Sequence, residues 1–272
     1  MSVASQKNQA SWDAFADRYA ARVHTQADLD ALVREPARAF HAGTWHVIRD
    51  CLPEVRGARV LVPSSGDNKA VFAFAMLGAR VTSADISQNQ LANAARAAQQ
   101  LGLSGIEFVR ADTMTLDGIP AGEYDLVYTS NGVHVWIDDL DAMYQSIARV
   151  MRPGGHSVMY EIHPFNRPFD DAGKIVKPYD STGPFEDNNE VTFAWRVMDI
   201  LGAMLRAGLS IRRFEEMFAE KDYFDPFMVP LQAQVDAGFH EYDHAEVDRM
   251  HDWRENPMAA LPQWLSVSAQ KG

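Results

Sequence analysis

Two acidic residues in the first half of the chain lie where a nucleoside could be bound. Asp67 falls in a run of turn-forming residues, 63–68, that directly follows the apolar residues 60–62. Asp85 follows a second apolar run and lies 19 residues after Gly66. A strand, a tight loop, a helix and a second strand ending in an acid form a nucleoside-binding unit, and a separation of about 20 residues lets the acid accept from ribose hydroxyls. The pattern therefore predicts a ribose site at Asp85.

The loop between these elements disfavours a diphosphate ligand and favours a cation. It contains a single glycine, Gly66, whereas the dinucleotide motif G-x-G-x-x-G needs its later glycines to admit a pyrophosphate. Small side chains at Ser64 and Ser65 still allow backbone amides to approach a ligand closely, and the charge of Asp67 favours a positive group. S-adenosylmethionine satisfies both conditions, because it combines an adenosine, an amino acid and a sulfonium without any phosphate.

The remaining sequence alternates between predicted strands and predicted helices. After the first unit, helices are predicted at 89–101 and 139–151, and strands at 106–109, 124–129 and 155–162. Strands separated by helices form parallel sheets that are covered on both faces. The sequence therefore predicts an α/β fold with a doubly wound, Rossmann-like sheet.

Less regular segments surround this alternation. A helical lid is predicted at 1–56, followed by the main domain at 57–272. The main domain carries two aromatic and polar stretches, at about 163–192 and 219–262, with a predicted helix at 193–207 between them. Long loops in compact domains are usually functional lids, so we expect both stretches to form caps over the carboxyl edge of the sheet.

Capping residues predict where the helices of the lid begin. Ser11 is expected to cap a helix over 12–22, and Thr25 with Asp28 forms a capping-box pattern for the next helix. A third helix is expected over 37–52, after a proline.

The composition indicates a compact protein that binds neither nucleic acid nor an anionic membrane. The 272 residues are 47% hydrophobic and carry a formal net charge of −12, whereas either partner would require a basic stripe. The single Cys51 excludes a disulfide scaffold, and the chain does not open with a secretory signal pattern. We expect a cytoplasmic protein, monomeric or homodimeric, whose partner is a small molecule.

Five stretches together resemble the class I S-adenosylmethionine-dependent methyltransferases, particularly the bacterial members that act on small molecules. They are the loop 62–68, Asp85, the triplet 111–113, the strand and loop 124–135, and the turn 152–155. Each stretch alone is weakly specific, but together they are fairly specific, and the resemblance covers almost the whole chain.

The resemblance implies a seven-stranded mixed sheet with an antiparallel last strand, S-adenosylmethionine as cofactor and S-adenosylhomocysteine as product. In the family the first loop wraps the methionine part of the cofactor. An acid after the second strand binds the ribose hydroxyls, and an acid after the third strand binds the adenine amino group. Asp85 and Asp112 occupy those two positions. The cofactor-binding residues implied are Tyr19, Pro63, Ser64, Ser65, Gly66, Asp67, Asn68, Asp85, Ile86, Gln90, Ala111, Asp112, Thr113, Ser130, Asn131 and Val135.

Three positions depart from the family pattern. The chain has Val62 where members usually carry an acid that helps to bind the cofactor's ammonium group, and Ser64 and Asn68 where they carry glycine. Either Asp67 replaces the missing acid or the cofactor binds more weakly, and replacement by Asp67 is the favoured interpretation.

Candidate catalytic residues follow the later strands, because ligands of open parallel sheets bind beyond the carboxyl ends of the strands. His134 is the leading base, since an imidazole titrates near neutrality. Glu161 and His163 form a second pair of candidates, and all three could instead be structural. The candidate substrate contacts are Trp45, His46 and Trp136.

One motif is interpreted as a coincidence. Residues 240–244 match H-E-x-x-H, the helical zinc pair of metalloproteases. Such a site needs a third ligand. In one large group of metalloproteases the third ligand lies ten residues after the first histidine, and His251 does not lie at that distance from His240. A solvated helical face is the favoured interpretation, and no metal is predicted.

The predicted reaction is in-line transfer of the methyl group to a small aromatic or heterocyclic acceptor at oxygen, nitrogen or carbon, with a histidine or carboxylate as base. Two alternatives stay open at this point. One is a nucleotide-dependent oxidoreductase on a similar sheet, and the other is a non-catalytic S-adenosylmethionine-binding protein, which Val62 in place of the acid favours.

Overall fold

The computed structural model describes residues 1–130, 132–170, 173–187, 189–218, 248–249 and 251–272. The helices are α1 (Val3–Val23), α2 (Gln26–Arg34), α3 (Ala42–Cys51), α4 (Lys69–Met76), α5 (Gln88–Gln100), α6 (Leu140–Val150) and α7 (Val197–Arg206). The strands are β1 (Arg59–Pro63), β2 (Arg80–Asp85), β3 (Ile106–Arg110), β4 (Tyr124–Ser130), β5 (Met151–Ile162), β6 (Phe185–Asp187), β7 (Glu190–Thr192), β8 (Leu209–Met217) and β9 (Trp264–Lys271). No helix within these residues is long and apolar enough to cross a membrane.

A seven-stranded sheet organises the fold, in the order β3-β2-β1-β4-β5-β9-β8. The first five strands in this order run parallel, and β9 runs antiparallel to both β5 and β8. The predicted α/β fold with a mixed sheet is confirmed. The strand order reverses between β1 and β4, and such a reversal opens a crevice at the carboxyl ends of the strands.

Alternate residues of β1 enter two different cores. Val60 and Val62 pack with α3, α4 and α5 on one face of the sheet, whereas Leu61 packs with α6 and α7 on the other. All three side chains are fully buried. Because successive side chains of a strand point to opposite faces, a strand covered on both sides is apolar throughout. This explains why residues 60–62 of β1 are all apolar.

Three predicted helix boundaries are wrong, each because a predicted cap or start has another partner. Helix α1 begins at Val3 behind Ser2, since Ser11 donates instead to Glu190 Oε1 at 2.6 Å. Helix α7 begins at Val197 rather than at Phe193, whose backbone N–H donates to the carbonyl of Val135.

The third boundary is the predicted helix over 37–52, which is divided in two. A 3-10 turn covers Pro36–Ala39, and α3 begins only after His41, whose Nδ1 accepts from the Gly43 N–H at 3.1 Å. The predicted cap of α2 at Thr25 is confirmed, because the Thr25 hydroxyl accepts from the Asp28 N–H.

The first predicted insertion contains a short hairpin that lies against α1. Strands β6 and β7 form the hairpin, and the side-chain amide of Asn8 bonds both the N–H and the carbonyl of Val191. The second insertion lies largely outside the described residues, as does the H-E-x-x-H stretch.

Candidate cofactor and acceptor site

A large cavity lies where the strand order reverses, under α1. It encloses about 1080 Å³, its open mouth included. Its floor comes from the loops that follow β1, β2, β3 and β4, and its roof from α1. Open parallel sheets place their ligands at this edge, so the cavity is the candidate functional site.

The loop after β1 adopts a strained turn that serine and asparagine side chains hold in place. Ser64 has a φ of +47°, in the left-handed region that glycine prefers, and its hydroxyl bonds Thr113 Oγ1 at 2.7 Å. Asn68 caps α4 by accepting from the Ala70 N–H at 2.9 Å and donates to Ser130 Oγ at 2.8 Å. The two residues that replace family glycines therefore tie this loop to the ends of β3 and β4.

Asp85 is held at the end of β2 by two backbone amides. Its Oδ2 accepts from the Gly66 N–H and its Oδ1 from the Ser87 N–H, both at 2.8 Å. Burial raises the pKa of Asp85 to about 6, although both amide bonds favour the charged form. Each carboxylate oxygen has a further lone pair, so the group can also accept from a diol in the cavity.

Asp67 lines the same cavity, but no backbone N–H among the described residues bonds its carboxylate. Its side chain is 2% exposed, and neither carboxylate oxygen has a hydrogen-bond partner among the described residues. Burial raises the pKa of Asp67 to about 8, and the charge of Asp85 adds to the shift. A buried carboxylate without partners fits a cationic ligand group, which would supply the missing counter-charge.

A third acid, Asp112, follows β3 and lines the cavity together with Ile86, Gln90 and Thr113. Asp112 Oδ1 accepts from the Met114 N–H at 3.0 Å, whereas its buried Oδ2 has no partner among the described residues, and the same is true of Gln90 Oε1. These free acceptors suit the amino and hydroxyl donors of an adenosine. The residues at this end of the cavity therefore fit the nucleoside part of S-adenosylmethionine.

The roof helix α1 is fixed to the cofactor side of the cavity through Asp13. Asp13 Oδ1 accepts from the Ser87 hydroxyl at 2.6 Å and from the Asn89 N–H at 3.2 Å. Trp12 and Tyr19 of α1 line the cavity, and the Trp12 ring lies edge-on to Trp136, with centroids 5.3 Å apart. The roof and the loop after β4 therefore meet through aromatic rings.

Most predicted cofactor-binding residues line the cavity, and three do not. Those that line it are Tyr19, Ser64, Ser65, Gly66, Asp67, Asn68, Asp85, Ile86, Gln90, Asp112, Thr113 and Ser130. Pro63 and Ala111 are buried behind the lining, and Val135 lines a second, smaller pocket. Asn131 lies outside the described residues.

The three predicted catalytic residues lie behind the cavity wall. His134 Nε2 bonds the Tyr144 hydroxyl at 2.7 Å, and its Nδ1 lies 3.1 Å from Glu161 Oε1. Both His134 and Glu161 line the smaller pocket. His163 is fully buried and its Nε2 bonds Glu216 Oε1 at 3.0 Å. None of the three lines the large cavity, so their role as base stays a prediction that this geometry does not favour.

Of the predicted substrate contacts, the structure brings only Trp136 to the cavity. Trp45 stacks on Phe40 with ring centroids 5.1 Å apart, and His46 is exposed. Helix α3 buries Thr44, Val47 and Ile48, which turns position 46 toward solvent. Neither residue lines the cavity, so the role of Trp45 and His46 as substrate contacts stays a prediction that this geometry does not favour.

Several cavity residues were not predicted, and four of them belong to α1. Ser5, Asn8, Trp12 and Val23 line the cavity together with the predicted Tyr19, and the spacings of three, four, seven and four residues along this set repeat the period of a helix. Such a stripe in the sequence could have identified them. The apolar residues Ala39 and Ile137 carried no comparable signal.

Comparison with known proteins agrees with this geometry. The profile of the family described as "Methyltransferase domain" matches residues 61–159. A sterol 24-C-methyltransferase of Gibberella zeae is 28% identical over 65% of this chain and 45% of its own length. The ubiquinone/menaquinone biosynthesis C-methyltransferase UbiE of Escherichia coli is 26% identical over 72% of this chain and 71% of its own length. The chain thus spans about half the length of the fungal relative.

A solved structure is similar over a larger share of the chain. The S-adenosylmethionine-dependent methyltransferase from Mesorhizobium loti superposes with a TM-score of 0.59 at 26% identity, over 85% of this chain and 98% of that one. Sheet topology and sequence similarity agree: the fold is that of the class I S-adenosylmethionine-dependent methyltransferases, and residues 61–159 match a methyltransferase domain. The acids that line the cavity fit S-adenosylmethionine.

Proposed function

We propose that the protein transfers the methyl group of S-adenosylmethionine to a small, apolar, ring-containing acceptor. One observation supports the proposal: acids that follow β1, β2 and β3 line one cavity, and the carboxyl groups of Asp67 and Asp112 keep oxygens without hydrogen-bond partners among the described residues. In this proposal Asp85 binds the ribose and Asp112 the adenine. The cofactor supplies a methyl group that is already activated by a sulfonium.

The acceptor is assigned from the walls of the cavity beyond these acids. Apolar and aromatic side chains form them: Trp12, Tyr19, Val23, Ala39, Trp136 and Ile137. Lys69 is a cation at the cavity, and its Nζ is paired with Asp28 Oδ1 at 2.9 Å. A wall rich in rings and short of available positive charge favours an uncharged aromatic or heterocyclic acceptor over a phosphate ester.

The names of two relatives suggest which acceptor atom to assay first. Both are C-methyltransferases, one for a sterol and one in ubiquinone/menaquinone biosynthesis. Methylation at carbon is therefore the first chemistry to assay here, ahead of oxygen and nitrogen.

In this proposal the chain contributes orientation and exclusion of water. Holding two reactants in line can contribute about 7–11 kcal/mol toward the barrier of a bimolecular step. Trp12 and Trp136, whose rings contact each other edge to face, would pack together against the acceptor. Any proton released by the acceptor needs a base, for which His134 stays the predicted residue although its ring lies behind the wall.

The proposal is tested by calorimetric titration with S-adenosylmethionine, S-adenosylhomocysteine and NAD, followed by a panel of quinones, phenols, indoles and sterols with a methyl-labelled cofactor. We expect micromolar binding of the first two ligands, no binding of NAD, and label in at least one apolar ring compound. Binding of NAD alone would establish the oxidoreductase alternative. Cofactor binding without product across the panel would support a non-catalytic binding protein.

A further inference from the structure

We propose that Asp67 binds the ammonium group of the cofactor's amino-acid part and releases a proton as it does so. Cofactor binding would then be coupled to proton release. The inference rests on the proposed function, but it concerns a step that precedes methyl transfer. It assigns a chain-specific role, because the resemblance places the ammonium-binding acid at position 62.

Position 62 cannot fill that role in this chain. Val62 is fully buried and belongs to the core between the sheet and helices α3, α4 and α5. Asp67 lies five residues further on, in the loop that the resemblance assigns to the methionine part of the cofactor, and it is one of the residues that line the cavity. An acid is thus present in the same loop, at the candidate site.

The environment of Asp67 differs from that of its neighbour Asp85. Asp85 is buried to a similar extent, but each of its oxygens accepts a backbone N–H at 2.8 Å. Asp67 receives none, and neither oxygen has a hydrogen-bond partner among the described residues. Burying a charge without hydrogen bonds is costly, so such a group normally takes up a proton instead.

The charged groups around Asp67 do not supply a counter-ion. On α4, Lys69 is paired with Asp28 of α2 at 2.9 Å. On α5, Arg96 is exposed and lies 3.7 Å from Asp17 of α1. The charge of Arg96 lowers the pKa of Asp67 and that of Asp17 raises it, each by less than burial and Asp85 do.

Two further groups face Asp67 from other elements. His24, after α1, bonds the backbone oxygen of Asp67 at 3.0 Å, and burial lowers the pKa of His24, which favours the neutral ring. Asp85, from β2, adds a negative charge. The free protein therefore favours the neutral form of Asp67, in agreement with its pKa of about 8.

A bound ammonium group reverses this balance. Opposite charges within about 4–6 Å favour the ionised carboxyl, so Asp67 loses its proton to solvent as the ligand enters. The O–H bond of the carboxylic acid breaks, its electron pair remains on the carboxylate, and no redox partner is required. By linkage, affinity for the cofactor should rise with pH below about 8, until the ligand's own amino group loses its proton.

The test measures proton release directly with S-adenosylhomocysteine, which keeps the ammonium group but lacks the sulfonium. Calorimetric titrations at pH 6.5, in two buffers with different ionisation enthalpies, give the number of protons released per ligand bound. We expect the wild-type protein to release close to one proton per ligand bound and Asp67→Asn to release close to none. The affinity of Asp67→Asn for S-adenosylhomocysteine should be at least tenfold lower than that of the wild type. 5′-Methylthioadenosine, which lacks the amino-acid part, should release no proton from Asp67 in either protein.

Asp85→Asn is the matched control, because it alters the neighbouring buried acid. We expect it to weaken binding while proton release on S-adenosylhomocysteine persists. Binding by the wild type without proton release, or equal release by a folded Asp67→Asn variant, would overturn the inference and leave the proposed function standing. Failure of the wild type to bind S-adenosylhomocysteine would overturn both.

Discussion

At the residue scale, local hydrogen bonding decides how each cavity acid behaves. Asp85 is stabilised by two amides, whereas Asp67, in the same cavity, has no hydrogen-bond partner among the described residues. Burial raises the pKa of both, to about 6 for Asp85 and about 8 for Asp67. Two chemically identical side chains can therefore take different parts of one ligand.

Asp85→Ala should weaken binding of S-adenosylhomocysteine at least tenfold, which corresponds to about 1.4 kcal/mol. The substitution removes the acceptor for the ribose hydroxyls and also releases the Gly66 N–H. Calorimetry measures the affinity, and thermal unfolding with circular dichroism verifies the fold. Asp139→Ala serves as control, because it removes an exposed helix cap of α6, which does not line the cavity. Unchanged affinity in a folded Asp85→Ala protein would refute the ribose assignment.

At the element scale, a buried carboxylate fixes the loop after β4. Glu161, 1% exposed at the end of β5, accepts through Oε1 from the N–H groups of Val133 and His134, at 2.7 and 3.3 Å. The pKa of Tyr144, which bonds His134, is raised well above its ordinary value by burial and by the charge of Glu161. The same loop carries Trp136 to the cavity, so Glu161 positions part of the cavity wall.

Glu161→Leu should loosen this loop while leaving cofactor affinity within about threefold. The change leaves two buried N–H groups without an acceptor, at a cost of about 1–3 kcal/mol each. Hydrogen exchange followed by mass spectrometry should show faster exchange over 132–137, and Glu161→Gln, which keeps an acceptor oxygen, should restore much of the protection. His163→Gln serves as control, because His163 is a buried residue at the same end of β5 but bonds Glu216 and not the loop. Exchange over 132–137 that is as slow in Glu161→Leu as in the wild-type protein would refute the positioning role.

At the scale of the whole molecule, the acids of the cavity link stability to pH. Between the ordinary pKa of an aspartate and about 8, folded protein retains a proton on Asp67 that the unfolded chain has lost. Folding stability from this group is therefore present at low pH and is lost as the pH rises through that range. Buried His24 and His41, whose pKa values are lowered by burial, act in the opposite direction.

Comparison of wild type with Asp67→Asn removes the histidine contribution, which both proteins share. The free energy of unfolding of the variant, relative to wild type, should increase between pH 5 and pH 8, by at most about 1.4 kcal/mol per pH unit. Urea unfolding at several pH values measures it, and Asp139→Asn controls for loss of an exposed carboxylate. Parallel stability curves for wild type and Asp67→Asn would contradict the prediction.

Much of the architecture was predictable because local sequence and burial point to the same structure. The apolar run of β1 is buried on both faces, and α4 ends at Met76, two residues before Gly78. The cap at Thr25 was predictable for the same reason. Ser11 was not, since its hydroxyl reaches Glu190, 179 residues away. A cap predicted from neighbours alone fails when a distant acceptor takes the hydroxyl.

The sequence by itself determined the order of strands and helices, the cofactor loop and the acids at its edge. These features depend on spacing within one strand–loop–helix–strand unit. The tertiary structure alone decided that Asp67 lacks hydrogen-bond partners among the described residues, that α1 roofs the cavity, and that His134 and Glu161 lie behind its wall. Burial and hydrogen bonding between distant segments set those properties, and they follow only when the sheet brings the segments together.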